Sequence, residues 1–199
     1  MKRIGVIIIG LLLAAPKASA FEPLPRQEVS LSYSYVTGPQ FALFWGGIFA
    51  PLFSFGIYSL DDFYTTGQFS AQYHHSLGKR FMVGCALDYE WDGLAFKDKD
   101  DVRMDGMSSA HFATFLPSAK LYYSNRLHFS TYCKLQTGLM LAISPDTDTE
   151  DLSGTKVETL WAIQLVPIGM EFGGQDLRGF FELGLGTQGL LTCGIRKSF

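Results

Sequence analysis

The sequence predicts an all-β chain, an eight-stranded antiparallel up-and-down transmembrane β-barrel. Three observations predict it. Apolar residues alternate with small or polar ones in eight successive runs. The connections between runs are tight and polar at one end and long at the other. The composition is apolar, with 15% aromatic and only 18% charged residues, and mean hydropathy is +0.14. Yet beyond residue 20 no clean 18-residue apolar run appears. The closest, Phe41 to Leu60, is broken by Gly46, Gly47, Pro51 and Gly56. A chain that enters a bilayer without helices must close its sheet, because lipid cannot satisfy a free backbone group.

The first element is an expected export signal, residues 1–20. Lys2 and Arg3 form a basic start, Ile4 to Ala15 is apolar, and Ala18-Ser19-Ala20 offers small residues for cleavage after Ala20. About a dozen apolar residues are too few for a spanning helix, which needs roughly 20. The remaining 21–199 read as one domain. Losing Lys2, Arg3 and Lys17 takes the formal charge from −3 to −6, which excludes a basic nucleic-acid footprint.

The eight strands are expected at Glu28–Thr37, Gly67–Leu77, Phe81–Trp91, Ala110–Tyr123, Leu127–Ile143, Val157–Phe172, Arg178–Gly186 and Gly189–Phe199. In the third, Phe81, Val83, Cys85, Leu87, Tyr89 and Trp91 share one face; Met82, Gly84, Ala86, Asp88 and Glu90 share the other. The fifth sets Leu127, Phe129, Thr131, Cys133, Leu135 and Leu139 against His128, Ser130, Tyr132, Lys134 and Gln136. The eighth sets Leu191, Cys193, Ile195 and Phe199 against Thr192, Gly194, Arg196 and Ser198. Cys85, Cys133 and Cys193 all fall on apolar faces and lack disulfide or metal-ligand spacing, so free thiols are expected. Pro117 and Pro167 lie inside strands and predict bulges, since each removes a ladder hydrogen bond.

Short turns are expected at Gly78-Lys79-Arg80, Ser124-Asn125-Arg126 and Gly173–Leu177, and long loops at Gly38–Thr66, Phe96–Ser109 and Ser144–Lys156. The hairpin near Thr187-Gln188 alone is short at the long-loop end. This is the outer-membrane pattern, and an even strand number places both termini in the periplasm and the long loops outside.

Alternation does not say which face is inside, and a soluble lipocalin also closes eight strands, with its apolar face inward. Three features favour lipid outside. The minor face is rich in Gly, Ser and Ala. Its charges, Asp88, Glu90, Lys120, Lys134, Glu182 and Arg196, come in both signs and can pair in a narrow lumen. Phe81 and Trp91 bracket a tilted rise of about 25 Å, the height of a barrel's apolar band with its aromatic girdles. Tyr33, Tyr35, Tyr73, Tyr123 and Trp161 extend the girdles.

The second half resembles the small single-domain outer-membrane barrels of Bacteroidetes, akin to OmpX and the OmpA membrane domain. The likeness is carried by Phe115-Leu116-Pro117-Ser118-Ala119-Lys120-Leu121-Tyr122-Tyr123, Leu165-Val166-Pro167-Ile168-Gly169, Arg178-Gly179-Phe180-Phe181-Glu182-Leu183-Gly184-Leu185-Gly186, Gly189-Leu190-Leu191 and Gly194-Ile195-Arg196-Lys197-Ser198-Phe199. It implies that Phe199 is the signal read by the barrel-assembly machinery, although Lys197 stands where such barrels often carry a second aromatic. It implies no catalytic residues.

The chemistry-bearing residues suggest no cofactor, metal or catalytic site. His128-Phe129-Ser130 resembles the His-x-Ser of outer-membrane lipid A deacylases, but the fifth strand's alternation puts His128 at the periplasmic end facing the lumen, away from outer-leaflet lipid. His74 and His75 are adjacent in a strand and point apart. Asp146, Asp148, Glu150 and Asp151 lack the glycine of a calcium loop. The expected role is structural or surface-interactive, in adhesion or envelope integrity, without an open pore. Expected partners are outer-membrane lipid and lipopolysaccharide, the assembly machinery and a surface partner, with no nucleic acid. Two alternatives stand beside it: an outer-membrane lipid-modifying enzyme, and a binder or carrier of a small hydrophobic molecule that uses the apolar loop Gly38–Thr66.

Overall fold

The computed structural model describes residues 21–40, 58–98, 108–145 and 155–199. The export signal, most of the apolar first loop and the charged tips of the next two long loops lie outside the described residues. The strands are β1 (Gln27–Tyr35), β2 (Tyr58–Ser76), β3 (Phe81–Asp98), β4 (Ser108–Asn125), β5 (Phe129–Pro145), β6 (Thr155–Gly173), β7 (Leu177–Gly186) and β8 (Leu191–Ser198). Each pairs antiparallel with its sequence neighbours, and β8 returns to β1 from Glu28↔Ser198 to Tyr35↔Leu191. The sheet is therefore a closed eight-stranded meander.

Alternation places the two faces as the reversed assignment requires. Leu31, Phe69, Leu87, Phe115, Leu135, Ile163, Leu185 and Ile195, one from each strand in order, are exposed. Ser30, Gln72, Asp88, Lys120, Lys134, Gln164, Glu182 and Arg196, again one from each strand, are buried. A barrel whose exterior is leucine, isoleucine and phenylalanine and whose interior is polar is the inverse of a water-soluble fold. Tyr35, Tyr73, Phe81, Trp91, Tyr123 and Trp161 also lie on the outer surface. Cys85, Cys133 and Cys193 are free thiols.

Four expectations need correction. β1 ends at Tyr35, short of Thr37. Val36 takes φ 57, and Thr37 then caps a helical turn: Gln40 N donates to Thr37 Oγ1 at 3.3 Å while Thr37 N donates to Gln40 Oε1 at 3.2 Å. Thr-x-x-Gln forms a reciprocal cap. β2 starts at Tyr58, well before Gly67, paired with the outer end of β3 through two register shifts. Gly67, at φ 70, absorbs the extra residue where the alternation breaks. The predicted bulge at Pro117 is absent: the β4–β5 register is the same on either side, Phe115↔Leu139 and Ser118↔Gln136. Pro117 faces outward opposite Cys85, and the ladder is interrupted there without being shifted. At Pro167 the bulge is present and disturbs both neighbours, β5 and β7.

The fourth correction concerns the filling of the barrel. Besides polar groups, the lumen holds two apolar clusters. Ala86, Phe112, Leu116, Met140 and Ala162 form one. Met82, Tyr122 and Tyr132 form the other, with Phe21 and Leu24 packed on it. The segment before β1 thus turns into the barrel end that carries both termini, held by Glu22 N donating to Asn125 O at 3.0 Å and by Asn125 Nδ2 donating to Glu22 O at 2.9 Å. The minor faces are not small throughout: glycine on one strand makes room for a large ring from the next. A Cβ on Gly169 would stand 2.4 Å from the Tyr132 ring.

Candidate functional site

The lumen collects the chain's buried charge. All six residues singled out from sequence, Asp88, Glu90, Lys120, Lys134, Glu182 and Arg196, are buried there. The inward parity of β3, β4, β5, β7 and β8 delivers them.

Glu182 and Arg196, on the two strands of the last hairpin, do not pair with each other. Glu182 lies opposite Thr192, while Arg196 lies opposite Arg178, four residues away. Glu182 instead takes Lys134 Nζ at 2.8 Å and the Tyr132 hydroxyl at 2.6 Å, and Lys134 also donates to Gln72 Oε1 at 3.1 Å. Arg196 turns to two residues that the alternation argument had not singled out. It grips Glu171 with both terminal nitrogens and lies 3.1 Å from Glu28. Lys120 Nζ bridges the same two carboxylates, at 2.7 Å to Glu28 and 2.9 Å to Glu171. The Tyr122 hydroxyl accepts from Arg196 Nη1 at 2.7 Å and donates to Glu171 Oε1 at 3.0 Å. Lys120 also stands 4.1 Å from the centre of the Tyr132 ring, which ties this cluster to the Lys134–Glu182 cluster. His74 completes it, 3.4 Å from Glu28 and 2.9 Å from Ser118 Oγ.

Arg178 closes the network at the barrel end that carries the termini. It donates to the carbonyls of Gly174, Arg126 and Leu127 and to Ser130 Oγ, fastening two turns to the interior. Nearer the opposite end, the carboxylates take neutral donors. Gln188 Nε2 reaches both oxygens of Asp88, at 3.1 and 3.0 Å, and the Thr37 hydroxyl donates to Glu90. Buried charges tolerate low dielectric only when paired and hydrogen-bonded; Glu28, Glu171 and Glu182 meet that condition through Lys120, Lys134 and Arg196, whereas Asp88 and Glu90 rest on neutral donors.

Two of these partners carried different signals in the sequence. Glu28 shares parity with Ser30, Ser32 and Ser34, a polar face legible in the first strand. Glu171 is concealed. Up to Val166 the even residues of β6 face inward; Pro167 and Ile168 both face out; from Gly169 the odd residues face inward. Strict alternation would have put Glu171 on the apolar outer face.

The His128-Phe129-Ser130 reading also changes. His128 precedes β5, lies exposed and faces the Gly173 carbonyl at 3.3 Å. It is not in the lumen, as β5 alternation implied, because the turn ends only at Phe129. Ser130 is buried and donates to Asn125 Oδ1 at 2.6 Å. The pair therefore makes no nucleophile–base contact. His74 is buried and His75 half-buried, on opposite sides of the wall. Among the described residues, no group of three His, Cys, Asp or Glu is arranged to hold a metal. Phe199 is exposed beside the closing seam, where its N–H donates to Gln27 O at 2.9 Å.

No protein-family profile matches the chain, and no curated protein matches it in sequence. Among solved structures it is similar to Ail, the attachment invasion locus protein of Yersinia pestis, at 10% identity and a TM-score of 0.45, over 88% of this chain and 99% of that one. It is also similar to the N-terminal β-barrel domain of Pseudomonas aeruginosa OprF, at 8% identity and a TM-score of 0.43, over 88% of this chain and 98% of that one. The small closed eight-stranded barrel expected from the sequence resemblance is the architecture the chain adopts, on the evidence of its own strand pairing and its two faces.

Proposed function

We propose that this chain is an integral outer-membrane barrel with a structural or surface-interactive role, in adhesion or envelope integrity, and without an open pore. One observation carries the reading: a closed sheet with an apolar exterior and a lumen crossed by a paired charge network. The exterior suits lipid and lipopolysaccharide. Eight strands leave room for side chains and little else, and Tyr122, Tyr132, Lys134, Met82 and Leu116 are fully buried inside. The long connections of the β1–β2, β3–β4 and β5–β6 hairpins all leave one end of the barrel and would present any surface partner's site there. Phe199, next to the β1–β8 seam, is the residue proposed for recognition by the assembly machinery.

The test is gel migration of detergent-folded protein with and without boiling. A folded closed barrel migrates differently from the boiled chain, and identical migration in both lanes would refute the membrane-barrel reading. Removing Phe199 at modest expression should lower the heat-shifted form in the outer membrane. Unchanged levels would leave the barrel intact as a reading and remove Phe199 as its assembly signal.

A further inference from the structure

The barrel wall is uneven at the outer end of β6. That strand has 19 residues, and its neighbour β7 has 10. Their ladder ends at Gln164↔Gly186, and the short β7–β8 turn is fastened to Ile163 O by Thr187 N at 3.0 Å. Beyond that point no described strand pairs with β6 on this side. The opposite flank is Val36 to Pro39, tied down where Gly38 N donates to Thr187 O at 3.1 Å and Leu190 N to Val36 O at 3.1 Å. A notch results, with the short hairpin as its lower edge.

The notch opens a cavity of about 570 Å³, within the roughly 300–1,000 Å³ range of small-molecule sites. Among the described residues its lining contains no charged side chain, although the same lumen holds a dense charge network nearer the periplasm. Leu160 shows what the notch does. Its parity with Ala162 and its pairing with Met140 turn it inward, yet it is 43% exposed. Beneath it, Met140 and Phe112 belong to the apolar cluster. On the outer side the cavity runs onto Trp161 and Ile163, 72% and 54% exposed on the apolar exterior. Among the described residues, an occupant arriving from that exterior meets no charged side chain on its way in.

We propose that the notch admits one acyl chain of an outer-leaflet lipid, which lies over Met140 and Phe112 in the outer half of the lumen. This rests on the membrane-barrel reading, and it adds a specific lipid site. The occupant is an acyl chain because the cavity is uncharged and continuous with the surface that reading gives to lipid.

The test is photocrosslinking of the folded chain in vesicles of phosphatidylcholine bearing a diazirine on one acyl chain, followed by peptide sequencing. Adducts are expected on inward-facing Phe112, Met140 or Leu160 as well as on outward-facing Leu135 and Ile195. Leu160→Gln with Met140→Gln should lower the Phe112 adduct by about tenfold or more, since both amides withdraw apolar surface from the chain's site, and should leave the outward adducts unchanged. If the double variant shows no heat-shifted form, Leu160→Gln alone serves, because a half-exposed side chain is dispensable for folding. Adducts confined to outward residues in the folded wild type would overturn the lipid site and leave the membrane barrel standing. A folded chain without outward adducts would overturn the membrane reading, and the lipid site with it.

Discussion

Glu182 and Arg196 sit on neighbouring strands, on the same face, with opposite charge, and still do not pair. Register decides it: four residues separate them along the ladder, and each finds a nearer partner across the lumen. A barrel this narrow makes trans-luminal contacts as accessible as cross-strand ones, so Lys134 on β5 reaches Glu182 on β7 at 2.8 Å. The consequence is a specific double-mutant result. Glu182→Leu should destabilise the barrel by about 3–5 kcal/mol, because it leaves Lys134 charged, buried and without its carboxylate. Adding Lys134→Leu should recover much of that loss, whereas adding Arg196→Leu should deepen it by removing the two-pronged partner of Glu171. Urea unfolding in lipid vesicles measures the cycle. Recovery by Arg196→Leu and none by Lys134→Leu would contradict the pairing described above.

At the scale of the strand, parity explains both what the sequence disclosed and what it hid. Period two placed Asp88, Glu90, Lys120, Lys134, Glu182 and Arg196 inside because their strands keep phase through those positions. It missed Glu171 because the phase changes at Pro167-Ile168, a change that depends on two outward residues in succession and leaves no signature in hydrophobicity. Proline marked the place without giving the outcome: Pro167 lies in a bulge and Pro117 does not. The first loop was misread at both described ends: the reciprocal Thr37–Gln40 cap replaces what alternation continued as strand, and β2 starts at Tyr58 within the expected loop. The bulge itself is testable. Deleting Pro167 would restore continuous alternation and swing either Gln164 and Val166 or Gly169 and Glu171 to the wrong side of the wall. The deletion should therefore abolish the heat-shifted form. Pro167→Ala keeps the residue count and should cost less than about 1.5 kcal/mol, since an outward side chain at an existing bulge loses little packing. A deletion variant that folds like the wild type would show that the bulge does not set the phase.

For the whole molecule, the question is whether a polar lumen amounts to a channel. Polar lining alone would permit water, as in wide porins. Here the strand number limits the width, and the interior is crossed by three groups of side chains. Phe21 and Leu24 pack on Met82, Tyr122 and Tyr132 at the end that carries the termini. Beside them at that end, Glu28, Lys120, Glu171 and Arg196 are locked together by bonds from β1, β4, β6 and β8. Phe112, Leu116 and Met140 fill part of the outer half. An ion would have to shed water and displace paired charges that are costly to separate. The expected outcome in planar bilayers is no steady ohmic conductance from the wild-type chain. Shortening the inward rings by Tyr122→Ala with Tyr132→Ala should raise ion leakage if the variant still folds, because both rings are fully buried where strands from opposite sides meet. Stable porin-like conductance in the wild type would overturn the closed-lumen reading, and the charge network would then have to be understood as the lining of a path.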